Sequence, residues 1–333
     1  MKRRPIQLIL VLILASVIGL GLALYANQSL HIKNPPSVST SSQSAPKATS
    51  TTITFVGDMM LDRYIRAQAE IHGYDHILAE VKDQLLAVDM VVGNLEGPIT
   101  SQSSVSTYDP QDPNHYRFTF APLVADLLTE HNIGLVSIGN NHIENFGRGG
   151  VDETTKFLDI AGISYVGHPY NDENLSFVKQ INGQQFSFVS FNYADDRPAS
   201  KTQQQIEALK DRNDAPDWII VLAHWGREYE QSASPAQVET ARSFVDTGAD
   251  LVIGTHPHVI QNRETYRDVL IYYSLGNFVF DQYFSPAVRC GLMLSVRFDS
   301  TSSIETTENF VELIEDGSTQ PADCRNAATE KEQ

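Results

Sequence analysis

The stretch "GTHPH" at residues 254–258 sets two imidazoles, His256 and His258, on either side of a proline, directly after the apolar run "DLVIG". In extended backbone, residues two positions apart face the same way. The pair can therefore serve one metal ion twice or two ions once each. Other apolar runs end in a similar way. "ITFVG" (53–57) is followed by Asp58, "DMVVG" (89–93) by Asn94 and Glu96, "IGLVSIG" (133–139) by Asn140, Asn141 and His142, and "DWIIVLA" (217–223) by His224. Each run delivers a carboxylate, an amide or an imidazole at its carboxyl end. Such donors suit zinc, manganese or iron(II), and a bridging carboxylate can hold two ions about 3.5–4 Å apart. Each residue also has a plainer role. Asp58 can cap a helix, Glu96 can sit in a surface turn, Asn141 can adopt a left-handed turn, and Trp225 can pack in a core. Their common position at strand ends favours a single divalent-metal site with one or two ions.

Those ends need elements to hold them. The β-branched runs alternate with "YDHILAEVKDQLLAV", "PLVADLLTEH", "VDETTKFLDIAG" and "PAQVETARSFVDTGA", whose apolar residues recur at three- and four-residue steps. Strand–helix alternation predicts an α/β fold with a largely parallel, buried sheet. In open α/β sheets the ligand crevice lies beyond the carboxyl ends of the strands. "SFVKQINGQQFSFVSF" (176–191) alternates on both sides of Asn182-Gly183, which predicts a hairpin.

The chain has 333 residues, 41% of them apolar, enough for one sizeable core. Its formal charge is −17, so the basic footprint of a nucleic-acid binder is absent and no nucleic-acid partner is expected. At the N-terminus "MKRR" precedes the uncharged run Leu8–Ala26. As a helix that run spans roughly 28 Å, close to a bilayer core. Lys2, Arg3 and Arg4 would stay in the cytoplasm. The expectation is a single-pass cell-membrane protein with the bulk of the chain extracytoplasmic. A cleaved signal peptide is the rival reading, but a cut after Ala26 puts Leu24 where a small residue is wanted. The predicted organisation is an anchor over 1–26, a Ser/Thr/Pro-rich flexible linker over 27–51, a folded domain over 52–299 and a polar tail over 300–333. Within the tail, "NFVELI" (309–314) reads as an edge strand. Cys290 and Cys324 form either a disulfide pinning the tail, which an oxidising exterior permits, or two free thiols.

With these residues together, the chain resembles the CapA family, the membrane-anchored component of bacterial poly-γ-glutamate capsule systems, which is itself similar to the calcineurin-like metallophosphoesterases. The matching stretches are "FVGDMMLDR" (55–63), "VVGNLEGPIT" (91–100), "SIGNNHIENFGRGG" (137–150), "VLAHWGREYE" (221–230), "GADLVIGTHPHVIQ" (248–261) and "IYYSLGNFVFDQ" (271–282). The resemblance implies a four-layer α/β/β/α sandwich. It implies Asp58 and His258 on a first metal, Glu96 as the bridging carboxylate, and Asn141, His224 and His256 on a second. His142 would contact the scissile group or protonate the leaving oxygen. Asn94 and Trp225 are expected to bind substrate. Two positions depart from the pattern. Met60 stands where metallophosphoesterases have a ligand histidine, leaving Asp62, a turn away, as the substitute. Asn145 stands where the capsule family often has aspartate. The implied function is poly-γ-glutamate capsule synthesis, assembly or export, with the polymer or membrane synthase subunits as partners. The alternative is a metal-dependent phosphoesterase or amide hydrolase acting on an extracellular or cell-wall substrate.

Overall fold

The computed structural model describes residues 50–299 and 303–324. The predicted anchor over 1–26 and nearly all of the linker lie outside these residues. Among the described residues, no helix is long and apolar enough to cross a membrane.

The apolar runs become strands β1 (Ser50–Met59), β2 (Met90–Leu95), β3 (Ile133–Ser137) and β4 (Ser164–Val166), all parallel. With β11 (Asn277–Val279), β12 (Cys290–Asp299), β13 (Ile304–Leu313) and β14 (Thr319–Pro321) they build one sheet. Its order is β14-β13-β12-β1-β2-β3-β4, with β11 also pairing β1. The second sheet contains β5 (Ser176–Ile181), β6 (Gln184–Asn192), β7 (Trp218–His224), β8 (Leu251–Thr255), β9 (Arg263–Tyr266) and β10 (Val269–Tyr272). Its order is β5-β6-β7-β8-β10-β9. The centre of each sheet is parallel, as expected. Both flanks of the second sheet and the β12–β14 flank of the first are antiparallel, with hairpins joining β5–β6, β9–β10, β12–β13 and β13–β14. Asn182 and Gly183 turn the β5–β6 hairpin at φ 49° and 83°, the left-handed pair that a two-residue turn demands.

Helices α1 (Arg63–His72), α2 (Lys82–Leu86), α3 (Leu123–Glu130) and α4 (Gly147–Ala161) precede the second sheet, and α5 (Ala199–Lys210), α6 (Pro235–Thr247) and α7 (Pro286–Arg289) follow its start. Three apolar cores separate the layers. Ile65, Val124, Leu128, Val151 and Leu158 from helices pack on Val91, Val136 and their neighbours in the first sheet. Ile53, Phe55, Val92 and Leu135 from the first sheet meet Phe186, Phe188, Ile220 and Ile253 from the second. Ile206, Leu209, Phe244 and Val245 of α5 and α6 cover Val189, Val221 and Val252 on the far face. The layering is helix, sheet, sheet, helix. Each such side chain, fully buried, contributes roughly 1.5–3 kcal/mol.

Two expectations need correction. "YDHILAEVKDQLLAV" does not form one helix. It breaks into two 3₁₀ turns, Tyr74–Ile77 and Ala79–Val81, and the short α2. Ile77, Leu78, Val81 and Leu85 are buried in the core, with Tyr74 and Val88 partly buried against it, so burial at helical steps holds the segment although the backbone is not one continuous helix. The predicted tail from 300 is also not separate from the domain. Residues 304–313 alternate in burial and pair along β12, and β14 lies outside them, so "NFVELI" falls on the penultimate strand and not the edge. A Cys290–Cys324 disulfide then ties the end of this region to the start of β12, which settles the alternative left open above.

Candidate metal centre

β1 and β2 place their chemistry by register. Asp58 lies opposite Asn94 on one side and Asn277 on the other. The ladder is irregular just before it, at Gly57. There a Cβ would lie 1.8 Å from the Gly276 carbonyl oxygen, so only glycine lets β1 and the 275–276 segment close on each other. The Asp58 N–H donates to that same Gly276 carbonyl at 3.0 Å. From the second sheet, β7 ends on His224 and β8 ends just before His256. His256 and His258 both have positive φ, 97° and 59°, a conformation uncommon for non-glycine residues. The His256 N–H donates to Asp58 Oδ2 at 3.1 Å, which draws the "THPH" turn against β1.

Asp58, Glu96, His142, His224, His256 and His258 are all buried, and Asn141 is half-buried. Ligand atoms of Asp58, Glu96 and His258 lie within 4.8 Å of one another, as do those of Glu96, His224 and His256. Glu96 belongs to both groups, the position a bridging carboxylate needs. His258 Nδ1 lies 3.2 Å from Asp58 Oδ2 and 3.0 Å from Asn277 Oδ1. Its Nε2 lies 3.6 Å from Glu96 Oε1. Asn141 Oδ1 and His224 Nε2 face each other at 2.8 Å. The structure thus brings together every metal-ligating residue expected from the sequence.

Burial pushes the Asp58 carboxyl up. The hydrogen bond and charge of His258, the charge of His224 and the Asn94 amide outweigh it and hold the group well below the usual carboxylate range. Burial and the adjacent Asp58 charge push Glu96 well above that range. Burial lowers His142 to about 4. Burial, then the charge of His258, lowers His256 to about 4. Burial, then the charge of His256, drives His224 well below the ordinary imidazole value. These three imidazoles are therefore neutral near pH 7, the form that binds metal.

The donor set fits a divalent ion. Glu96 Oε1 and His256 Nδ1 are buried without a hydrogen-bond partner. Among the described residues, neither Asp58 nor Glu96 has a lysine or arginine in an ion pair. Buried carboxylates with no lysine or arginine partner are costly, and a bound cation would relieve that cost.

His142 stands beside this cluster, with Nε2 4.0 Å from Glu96 Oε1. Its Nδ1 contacts the Tyr116 carbonyl at 3.1 Å and Asn145 Oδ1 at 3.2 Å. Asn145 Oδ1 also accepts the Phe118 N–H, which fixes the orientation of the amide. Both partners of Nδ1 are acceptors, so Nδ1 carries the hydrogen and Nε2 offers a lone pair. Asn145 thus orients His142 without supplying a negative charge. Phe118 backs His142 and Phe280 backs His258, with ring centroids 4.5 and 4.9 Å away. Arg63 lies over both phenyl rings and pairs with Asp281.

Of the two expected substrate-binding residues, Trp225 is 2% exposed, donates its indole N–H to the Tyr273 carbonyl at 2.9 Å and packs with Phe244 and Phe191, and it also lines the wall of the cleft beyond Tyr193. Asn94 does not line that cleft: it is buried inside the cluster, its amide donating to Asp58 Oδ1 at 2.7 Å and Glu96 Oε2 at 3.3 Å. Nor does Asp62 stand in for the donor missing at Met60. Its Oδ2 accepts the Thr119 N–H at 2.9 Å, and it belongs to none of the converging groups. The Met60 thioether is buried and accepts the Asp62 N–H at 3.2 Å.

Three residues at the site escaped the sequence reading. Tyr193, just past β6, places its hydroxyl 3.0 Å from His256 Nε2. Asn277 anchors His258. Glu228, exposed, has a carboxylate oxygen within 4.8 Å of ligand atoms of both His256 and His258. The strand-end rule applied to "SFVSFN" would have reached Tyr193. Glu228 and Asn277 lie inside the quoted stretches, but Glu228 is in a turn and Asn277 opens the three-residue β11, where no periodicity marks them. Beyond Tyr193 a cleft of about 710 Å³ opens, lined in part by Arg227, Gly226, Ser234 and Gln237.

Residues 52–282 match the family model described as "Bacterial capsule synthesis protein PGA_cap". The chain is similar to the capsule biosynthesis protein CapA of Bacillus anthracis, 32% identical over 69% of this chain and 60% of that protein. It is 31% identical to the PGA biosynthesis protein CapA of Bacillus subtilis, over 68% of this chain and 63% of that protein. A Mycobacterium tuberculosis protein named "Probable polyglutamine synthesis accessory protein" is 28% identical over 59% of this chain and 56% of its own length. The chain thus spans about three fifths of the length of the curated relatives it matches.

Proposed function

Because the chain belongs to the bacterial capsule synthesis protein family PGA_cap, we propose that it acts in the synthesis, assembly or export of a poly-γ-glutamate capsule through a divalent-metal centre. The observation that carries this reading is that the family match over 52–282 encloses every residue of the buried cluster, from Asp58 to His258. The centre would be held by Asp58, Glu96 and His258 on one side and by Glu96, Asn141, His224 and His256 on the other. One or two ions, manganese, zinc or iron, suit these donors. The partners would be the polymer or the membrane subunits that make it. Anchoring through residues 1–26 would keep the domain beside such a synthase at high effective concentration. An extracytoplasmic location is supported by the Cys290–Cys324 disulfide, since such bonds persist in oxidising compartments. The test is complementation of a strain lacking the gene. Wild type is expected to restore surface γ-glutamate and His256→Ala to restore none. Full restoration by His256→Ala would exclude a role for the centre in capsule formation.

A hydrolase is the second reading, favoured by His142 at the edge of the cluster and by the cleft beyond Tyr193. A bound ion would supply Lewis acidity and a lowered water pKa. His142 Nε2, unprotonated at rest, would accept a proton or a hydrogen bond before donating one. Metal-dependent turnover of a phosphoester or a γ-glutamyl peptide, abolished in His142→Asn, is the expected sign. Absence of turnover on both, in protein shown to hold metal, would leave the accessory role.

A further inference from the structure

The cluster is unequal in its two halves. Glu96, Asn141, His224 and His256 offer four donors on one side. On the other, the group formed by Asp58, Glu96 and His258 offers three, which leaves a coordination position open. Met60 does not make up the difference, because its thioether is turned into the core and accepts a backbone N–H. Asn94 does not either. Its Nδ2 faces the carboxylates, and its Oδ1 is taken by the Asn140 amide at 3.1 Å.

One further carboxylate reaches the histidines. Glu228 sits on the loop after β7, and that loop is strapped to the "THPH" turn. The Tyr229 N–H donates to the Pro257 carbonyl at 2.8 Å, and Tyr229 takes a positive φ of 67° to do so. The Tyr229 hydroxyl is held in turn by the Gln282 amide at 3.2 Å. With its neighbour fixed, Glu228 is directed at His256 and His258. In the same cluster His256 Nδ1 is buried without a partner, and so is Glu96 Oε1, 3.6 Å from His258 Nε2.

We propose that Glu228 is the solvent-side ligand of the ion held by His258, completing the shell of Asp58, Glu96 and His258. The inference rests on the reading of the cluster as a metal centre. It makes the two positions chemically distinct. The first has three carboxylates and one imidazole, the second one carboxylate, one amide and two imidazoles. Oxygen-rich sites suit magnesium and manganese, and imidazole-rich sites suit zinc and iron. The first position is thus a manganese position and the second a zinc position.

The test uses the full-length chain, stripped of metal and titrated with Mn²⁺ and with Zn²⁺, with manganese followed by paramagnetic resonance. Wild type is expected to take one Mn²⁺ alongside one Zn²⁺. Glu228→Gln is expected to keep the Zn²⁺ and to bind Mn²⁺ about 10–100-fold more weakly, the size of loss seen even for outer partners of a metal site. Glu230→Gln, an exposed acid on the same loop, serves as the control and should match wild type. Glu228 is exposed, so its variant is expected to melt with wild type in the absence of metal. If Glu228→Gln binds Mn²⁺ as wild type does, the assignment of Glu228 is overturned and the metal centre stands. If wild type takes up neither ion, the reading of the cluster fails, and this assignment with it.

Discussion

At the scale of residues, the centre depends on imidazoles kept neutral by burial. His142 and His256 are lowered from the ordinary 6.5 to about 4, and His224 is lowered well below the ordinary value. Between those two pH values the unfolded chain binds protons that the folded chain refuses, so stability falls as pH drops from 6.5 towards 4. Glu96, raised by burial, works in the opposite direction; three histidines against one carboxylate leave the net loss on the acid side. Urea melts of metal-free protein at pH 7.5, 5.5 and 4.5 are expected to show a falling midpoint, and a flat profile would contradict the burial assigned to these groups. Asn145→Ala should cost about 1–3 kcal/mol, because it strands the buried Phe118 N–H and one partner of His142. The same melts measure it, and a cost near zero would mean that the amide does not hold His142. Most of this chemistry was legible beforehand, since Asp58, Glu96, His224, His256 and His258 announce themselves at strand ends. Trp225 is both core and cleft wall, a double placement that the sequence does not reveal for an aromatic residue next to a ligand. Glu228 was missed because an exposed turn residue has no pattern, and only the Tyr229–Pro257 strap reveals its direction.

At the scale of elements, the site exists because two sheets packed face to face bring the carboxyl ends of β1, β2, β7 and β8 together. Gly57 is where β1 and the 275–276 segment close on each other. Gly57→Ala would drive a methyl group into the Gly276 carbonyl, 1.8 Å from its ideal position, and the strands would have to part. A loss of about 1–3 kcal/mol or more is expected, together with weaker metal binding, because Asp58 follows directly. Calorimetric melting and metal titration of the variant check both. Unchanged metal affinity would show that β1 can shift without moving Asp58. The central parallel strands and their covering helices were readable from apolar period and length. The broken segment over 74–88 was not, because Ile77, Val81 and Leu85 recur at helical steps even though the chain between them is in 3₁₀ turns. Of β13 only the second half, within "NFVELI", was readable, because the alternation of half-buried and exposed residues over 304–308 leaves too few apolar side chains to stand out in a polar stretch.

At the scale of the whole molecule, a chain of charge −17 gathers buried carboxylates at one point, where among the described residues they have no lysine or arginine partner, an arrangement that a divalent cation would stabilise. The Cys290–Cys324 link closes a loop with a sequence separation of 34, and such a loop contributes about 3–4 kcal/mol by restricting the unfolded chain. Cys324→Ser is expected to lower the melting temperature while leaving metal content unchanged, since the bond lies on the β12–β14 side of the first sheet. Loss of metal in that variant would mean that the C-terminal strands position the site as well as cover it. The most direct test of the centre itself is elemental analysis of the purified full-length chain after reconstitution, wild type beside His256→Ala. Wild type should carry close to two divalent ions per chain and His256→Ala about one or fewer; no metal in either protein would contradict the account.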